Sequence, residues 1–147
     1  MKWACLMVVT IGVSAALAAP EIDDAKKDLE KMKGTWKAVA GEAGGNPLPD
    51  EFLKSIQFTI TGDKYSLKQG DEEEEGTLKL DAAKKPKTVD VSITKGRDKD
   101  KMQHGLYQVE GNTLKFCFAP PEKERPKEFA AKAGSENLVI TLKREQN

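Results

Sequence analysis

The chain has 147 residues, and its 24 basic and 24 acidic side chains give a formal net charge of zero at pH 7. Nucleic acid is not an expected partner, because phosphate binding needs clustered Lys and Arg and the chain has no basic stripe. One His and two Cys are too few soft ligands for a zinc ribbon or an iron–sulfur site, so we expect no metal and no cofactor. The length corresponds to one domain of ~150 residues.

The N-terminal segment has the features of an export signal. Lys2 precedes an uncharged apolar run, and residues 16–18 (ALA) form a small-x-small cleavage site. The alternative is a membrane anchor, but the uncharged run (residues 3–20) is at the short limit for a span and ends in small residues. We therefore predict a signal peptide over residues 1–18 and a single domain over 19–147, secreted or periplasmic and without a membrane span.

Residues 23–33 are predicted to form one short amphipathic helix. Gly34 follows at the position where a left-handed C-terminal cap is expected. Four apolar residues recur at spacings of three and four, which places them on one helix face: Ile22, Ala25, Leu29 and Met32.

From residue 35 onward the apolar period is two, which predicts eight short strands of a half-buried antiparallel sheet. Two hairpins have defined registers. A turn at Gly62 places Ile60 opposite Tyr65, and a turn at Gly111 places Tyr107 opposite Phe116. The alternating apolar residues are Trp36/Ala38/Ala40, Ile56/Phe58/Ile60, Tyr65/Leu67, Leu78/Leu80, Val89/Val91/Ile93, Tyr107/Val109, Leu114/Phe116/Phe118 and Leu138/Ile140/Leu142.

The two ends of the chain favour a closed barrel over a two-sheet sandwich. Arg144 has the inward parity of the last strand, where an unpaired guanidinium would be costly. In a barrel the last strand lies beside the first, so Arg144 can cover the Trp36 indole at the end that the helix plugs. We therefore predict an all-β, eight-stranded antiparallel up-and-down barrel with a short N-terminal helix closing one end.

Residues 34–36 (GTW) after a short helix, with an Arg at the end of the last strand, resemble the lipocalin signature. A closer resemblance covers nearly the whole mature chain, to an uncharacterised lipocalin-like family abundant in exported proteins of planctomycete bacteria. It implies a lipocalin-like barrel and export, and it carries over no reaction. The segments similar to that family are 32–36 (MKGTW), 80–87 (LDAAKKPK), 107–115 (YQVEGNTLK), 118–121 (FAPP) and 124–129 (ERPKEF).

The predicted barrel interior is the main candidate for function. It is apolar and aromatic, and Ala38 and Ala40 are small enough to leave room. One interpretation is a pocket for a small apolar or aromatic ligand oriented by two phenols, and the other is an ordinary packed core. The candidate ligand-binding residues are Phe58, Tyr65, Tyr107, Phe116 and Phe118.

Two charged features have alternative interpretations. Residues 71–75 (DEEEE) lack the alternating ligands and tight-turn Gly of a calcium loop, so a solvated hairpin tip is favoured. Arg125 could clamp an anion at the barrel mouth, or it could pair with Glu122 or Glu128 and pin the long 119–137 loop. We favour pinning.

Cys117 and His104 form a weak nucleophile–base constellation on neighbouring strands. The favoured interpretation is a thiol buried beneath the 119–137 loop and a His on the outer face, so we do not expect an enzyme. The sequence leaves two functions open. One is a small-ligand-binding module, and the other is a protein-interaction or inhibitor module that acts through loops 119–137 and 41–51.

Overall fold

The computed structural model describes residues 21–146, with side chains from residue 24 onward, so the predicted signal segment lies outside the described residues. Within that range no helix is both long and apolar enough to cross a membrane. The helices are α1 (Glu21–Met32) and α2 (Asp50–Lys54). The strands are β1 (Gly34–Ala43), β2 (Asn46–Pro47), β3 (Ile56–Thr61), β4 (Lys64–Gln69), β5 (Glu72–Asp81), β6 (Thr88–Lys95), β7 (Met102–Glu110), β8 (Thr113–Phe118) and β9 (Leu138–Arg144).

Eight of these strands close into an antiparallel barrel, which confirms the predicted fold class. Strand β1 pairs with β3 on one side and with β9 on the other, and the strands between them pair in chain order. The two-residue β2, which the sequence pattern did not predict, pairs with the far end of β1. Helix α1 packs against β5 and β7 at one end of the barrel, which we call the closed end. The opposite end, where β4 turns into β5, is the open end.

Both predicted hairpin registers are confirmed. Ile60 pairs with Tyr65 across the first turn, and Tyr107 pairs with Phe116 across the second. Gly62 and Gly111 have φ values of 61° and 55°, a left-handed conformation that glycine adopts without a steric penalty. Turn chemistry and side-chain parity therefore agree in both hairpins.

The predicted alternation of β1 is wrong after Ala38. A bulge at Val39 shifts the register, because Ala38 pairs with Leu142 whereas Ala40 pairs with Thr141. Ala40 is exposed and leaves no room inside the barrel. Gly41 follows the bulge, and a Cβ there would lie 2.6 Å from Leu48 Cδ1. The Leu48 side chain thus packs where Gly41 has none.

The acidic run is a hairpin tip only at Asp71, which lies in the β4–β5 turn, whereas its four glutamates lie on β5. The chain reverses at Gly70, which has a φ of 59°, and Glu72 is already the first residue of β5. Glu73 pairs with Lys68 of β4, and its carboxylate lies 3.6 Å from Lys95 Nζ. Lysines on both neighbouring strands thus balance part of the acidic charge within the sheet.

Gly34 is not a helix cap as predicted. It begins β1, pairs with Ile60, and has a φ of 130°. A Cβ at this position would lie 2.7 Å from Arg144 Nη1. Glycine is favoured here because of this positive φ, and the missing side chain also lets the guanidinium pass over the backbone.

Candidate functional site

The closed end is sealed by a side chain of the last strand. The Arg144 guanidinium lies 4.3 Å from the centroid of the Trp36 ring, so the predicted contact is present. It also donates hydrogen bonds to the carbonyls of Lys31 and Lys33 at the end of α1. The Trp36 indole N–H donates to the carbonyl of Met32 at 2.7 Å. These contacts tie the helix to the junction of β1 and β9.

Sequence reasoning missed a buried carboxylate under α1. Asp28 is 3% exposed and accepts hydrogen bonds from the Tyr107 hydroxyl at 2.7 Å and from Lys87 Nζ at 2.8 Å. Burial and the neighbouring Asp28 carboxylate raise the pKa of Tyr107. Asp28 lies three residues after Ala25 and four before Met32, so its place on the apolar face was the signal available in the sequence.

The predicted ligand-binding aromatics pack against one another inside the barrel. Phe58 stacks on Tyr65 at 5.2 Å, Phe116 lies 5.7 Å from Phe58, and Phe118 lies 5.0 Å from Phe116. Only Phe118 among the five predicted residues, all within the described chain, is more than 9% exposed. Both phenols already have carboxylate partners, since Tyr107 donates to Asp28 and Tyr65 donates to Glu74.

A cleft of about 340 Å³ lies at the open end, between the β4–β5 hairpin and the loop after β6. Glu74 has the inward parity of β5, pairs with the half-buried Leu67, and accepts the Tyr65 hydroxyl at 2.7 Å. The Tyr65 ring can take this position because residue 76 is a glycine: a Cβ there would lie 2.7 Å from Tyr65 Cε1. The cleft is lined by Leu67, Gln69, Glu72, Glu73, Glu74, Arg97 and Asp98.

The cleft is negatively charged. Arg97 pairs with Glu72 at 2.5 Å on the exposed rim. Glu73 lies 3.6 Å from Lys95 Nζ and Asp98 lies 3.3 Å from Lys101 Nζ. Glu74 is the lining carboxylate for which the described residues show no cation partner. Burial raises the pKa of Glu74; the hydrogen bond from Tyr65 lowers it, and the nearby Asp98 raises it further. Burial and Glu74 likewise raise the pKa of Tyr65. A positively charged group in the cleft would favour the ionised form of Glu74.

Arg125 does not lie at the barrel mouth, and the predicted partners Glu122 and Glu128 are wrong. Its guanidinium lies on the outer wall, where it donates to the carbonyls of Val89 and Gly105 and to the Asp90 carboxylate. It therefore pins the 119–137 loop, as favoured, but to β6 and β7. The two predicted partners have other contacts: Glu122 accepts from the Met102 backbone N–H, and Glu128 pairs with Lys132.

Cys117 and His104 have separate partners. The Cys117 thiol is buried beneath the 119–137 loop, and its Sγ lies 3.5 Å from the Glu128 carbonyl and 3.7 Å from that of Ala130. Burial raises the pKa of this thiol. His104 is on the outer face, with Nδ1 2.7 Å from an Asp90 carboxylate oxygen. The two side chains lie on neighbouring strands, as predicted, and each is held by other groups.

The fold and the cleft define a class, a closed antiparallel β-barrel of eight strands with a helix at one end and an acidic cleft at the other. Comparisons with family models, with curated proteins and with solved structures found no match. The resemblance to a lipocalin-like family therefore stays a prediction. In residues 21–146 no three His, Cys, Asp or Glu side chains are grouped so as to hold a metal ion.

Proposed function

We propose that the chain is an exported, lipocalin-like binding module that takes a small ligand at the open end of its barrel. The observation that carries the proposal is the cleft of about 340 Å³ with the half-buried Glu74 carboxyl and the Leu67 side chain in its wall. The volume is within the range of roughly 300–1,000 Å³ of ligand pockets, and the lining is more polar than usual, with Leu67 the one apolar residue among seven. The opposite end is occupied by α1 and by Arg144 over Trp36.

The lining favours a ligand with a positively charged or hydrogen-bond-donating group beside a small apolar part that Leu67 can contact. Leu67 offers an apolar surface, and Glu74 offers a carboxylate whose orientation is fixed by Tyr65. Phe58 stacks behind Tyr65, so the aromatic interior supports this wall rather than enclosing the ligand.

Fluorescence titration with two probes tests the proposal. Dansylcadaverine carries an aromatic group and a primary amine, whereas anilinonaphthalene sulfonate carries an aromatic group and a negative charge. We expect the amine probe to bind and the sulfonate probe not to bind. Glu74→Gln should weaken binding of the amine about tenfold or more, which is the typical effect of losing a charge-assisted hydrogen bond.

Glu75→Gln is the matched control, because Glu75 is the next residue of β5 and is exposed. It changes the net charge by the same amount and should leave the affinity within about twofold of wild type. Equal losses in both variants would indicate a general charge effect and contradict the assignment of Glu74. Absence of binding by wild type would contradict the cleft as the site for this ligand class.

We propose binding without catalysis. A nucleophilic thiol needs a lowered pKa and an available base, whereas burial raises the pKa of Cys117 and Asp90 holds His104. Iodoacetamide should modify Cys117 far more slowly than free cysteine at the same pH. A rate equal to or above that of free cysteine would contradict this assignment.

A protein-interaction or inhibitor module is the second candidate. Loops 41–51 and 119–137 lie side by side, since the Gly45 N–H donates to the Ala131 carbonyl. The two loops therefore meet at one surface. A partner captured from the exported proteome by wild type and by Glu74→Gln, but not after exchange of loop 41–51, would favour this function. Capture that depends on Glu74 would favour the cleft.

A further inference from the structure

We propose that residues 119–137, called the strap below, form a releasable cover that opens while the barrel stays folded, with the Arg125–Asp90 contact as its latch. This inference does not depend on the proposed ligand site. The strap is the loop that also contributes to the second candidate function, but its release from the barrel is a separate property that neither candidate function requires.

The strap covers a small apolar cluster on the outer face of β7, β8 and β9. Leu106, Cys117 and Val139 project outward from these strands and pack against Ala131 of the strap, with Phe129 half-buried at the edge. This cluster is distinct from the interior core, since the barrel wall separates them. Opening the strap therefore exposes the outer cluster and leaves the interior core intact.

The strap is attached to the barrel by few backbone contacts. It contains neither helix nor strand. In the described chain three backbone hydrogen bonds join the strap to other segments: Ala119 N–H to the His104 carbonyl, Glu122 N–H to the Met102 carbonyl, and Gly45 N–H to the Ala131 carbonyl. Segments with few backbone hydrogen bonds and little buried apolar surface open at a lower free energy than the whole fold.

Arg125 supplies the strongest polar attachment. Its Nη1 donates to the carbonyls of Val89 at 3.0 Å and Gly105 at 2.8 Å, and its Nη2 donates to the Asp90 carboxylate. One guanidinium thus bridges β6 and β7 from the middle of the strap. Lysine cannot reproduce this geometry, because it lacks the planar array of donors.

The latch is acid-sensitive. Lys79 of β5 is the cross-strand partner of Asp90. Two ionisable groups contact the Asp90 carboxylate, His104 from β7 and Arg125 from the strap. Burial acts to raise the pKa of Asp90, but the hydrogen bonds and charges of these two groups lower it below its usual 3.8. A lowered carboxyl pKa contributes stability above the unfolded-state pKa, and that contribution is lost as pH falls through the folded-state pKa. The strap should therefore open more readily in acid.

Labelling of Cys117 with iodoacetamide in the full-length chain measures opening, with peptide-level mass spectrometry to separate Cys117 from Cys5. The latch predicts that labelling in dilute urea is faster than global unfolding allows. Arg125→Ala should accelerate it about tenfold or more, and Arg125→Lys should give an intermediate rate. Arg125→Ala lowers the global free energy of unfolding by no more than the latch contributes to the closed state. The distinguishing result is that labelling in dilute urea depends on urea far less steeply than global unfolding, which tryptophan fluorescence follows.

Lys127→Ala is the matched control, since Lys127 is exposed on the strap and outside the latch. It should leave the labelling rate unchanged. Hydrogen exchange in the strap, corrected for intrinsic rates, should rise as pH falls below 3.8 in wild type and respond less in Asp90→Asn. Labelling that follows global unfolding in every variant, or that rises equally in Lys127→Ala, would overturn the proposal.

Discussion

Two phenol–carboxyl pairs at opposite ends of the barrel have different environments. Asp28 is almost fully buried and accepts from both Tyr107 and Lys87, so its polar atoms are satisfied by protein. Glu74 accepts from Tyr65 and also borders an open cleft. The first pair holds α1 in place, whereas the second has an oxygen near solvent that a ligand can reach.

Tyr107→Phe should lower the free energy of unfolding by about 1–3 kcal/mol, because it removes one donor from the buried Asp28. Tyr65→Phe should cost less, because water can reach the half-exposed Glu74 in its place. Urea denaturation of both variants measures the difference. Equal losses would contradict the distinction between the two carboxyls.

The stability effect of Glu74→Gln should depend on pH. Burial raises the folded-state pKa of Glu74 above its usual 4.5, so the ionised side chain is less favourable in the folded than in the unfolded chain. The protonated Glu74 side chain therefore contributes stability to the fold. That contribution is present below the unfolded-state pKa and is lost as pH rises through the folded-state pKa. The stability of Glu74→Gln relative to wild type should therefore increase from acid to neutral pH. A difference in the free energy of unfolding between Glu74→Gln and wild type that stays constant or falls over this pH range would contradict the raised pKa of Glu74.

Arg144→Ala should lower the free energy of unfolding by about 2–3 kcal/mol, because it removes the stacking on Trp36 and the hydrogen bonds to the end of α1. Lys143→Ala changes the neighbouring exposed residue and should stay within about 0.5 kcal/mol of wild type. Thermal and urea denaturation can compare them. Similar losses in both variants would argue against a sealing role for Arg144.

At the scale of elements, the sequence could predict the hairpins but not the irregularities. Registers around Gly62 and Gly111 followed from turn residues and parity, which are both local. The bulge at Val39 could not be predicted, because alternation of Trp36, Ala38 and Ala40 fits a regular strand equally well. Its cause is the pairing with β9, about a hundred residues away in the chain.

The candidate cleft was missed for a related reason. The run of acids at 71–75 has no apolar residue to mark its inward face, so it was predicted as a tip. Glu74 shares the parity of Gly76 and Leu78, and extending that alternation would have placed it inside. The partner of Arg125 was also beyond local reasoning, because Asp90 lies on a strand that no pattern near the strap indicates.

Gly76→Ala should separate β5 from its neighbours. A Cβ there would lie 2.3 Å from the Ser92 carbonyl oxygen and 2.7 Å from Tyr65 Cε1, so backbone and ring must both shift. We expect a loss of about 2–3 kcal/mol. A Cβ at Gly62 would meet no non-neighbouring atom within 4 Å, so Gly62→Ala should cost only about 1 kcal/mol, for its positive φ. Denaturation curves showing the reverse order would refute the steric argument.

At the scale of the whole molecule, one interior core joins all eight strands of the barrel wall. Buried residues from β1 to β9 contact one another and also contact Met32 of α1 and Leu53 of α2. The prediction of a closed barrel succeeded because inward parity recurs in every strand and because Trp36 and Arg144 mark the ends that must meet.

This continuity predicts cooperative unfolding of the barrel. Trp36 fluorescence and far-ultraviolet circular dichroism should give the same urea midpoint, because the core contains no boundary at which part of the wall could separate. Two midpoints differing by more than the error of the fits would show that the strands do not unfold together.

The pairing of Trp36 with Arg144 has a consequence for biosynthesis. The ribosome makes the first strands of this barrel long before β9, the strand that closes it. Until residue 144 has emerged, the edge of β1 that β9 will cover has no partner, and nascent chains could join there edge to edge. Closure therefore waits until β9 has been made, and a truncation that removes β9 should yield aggregates instead of a smaller barrel.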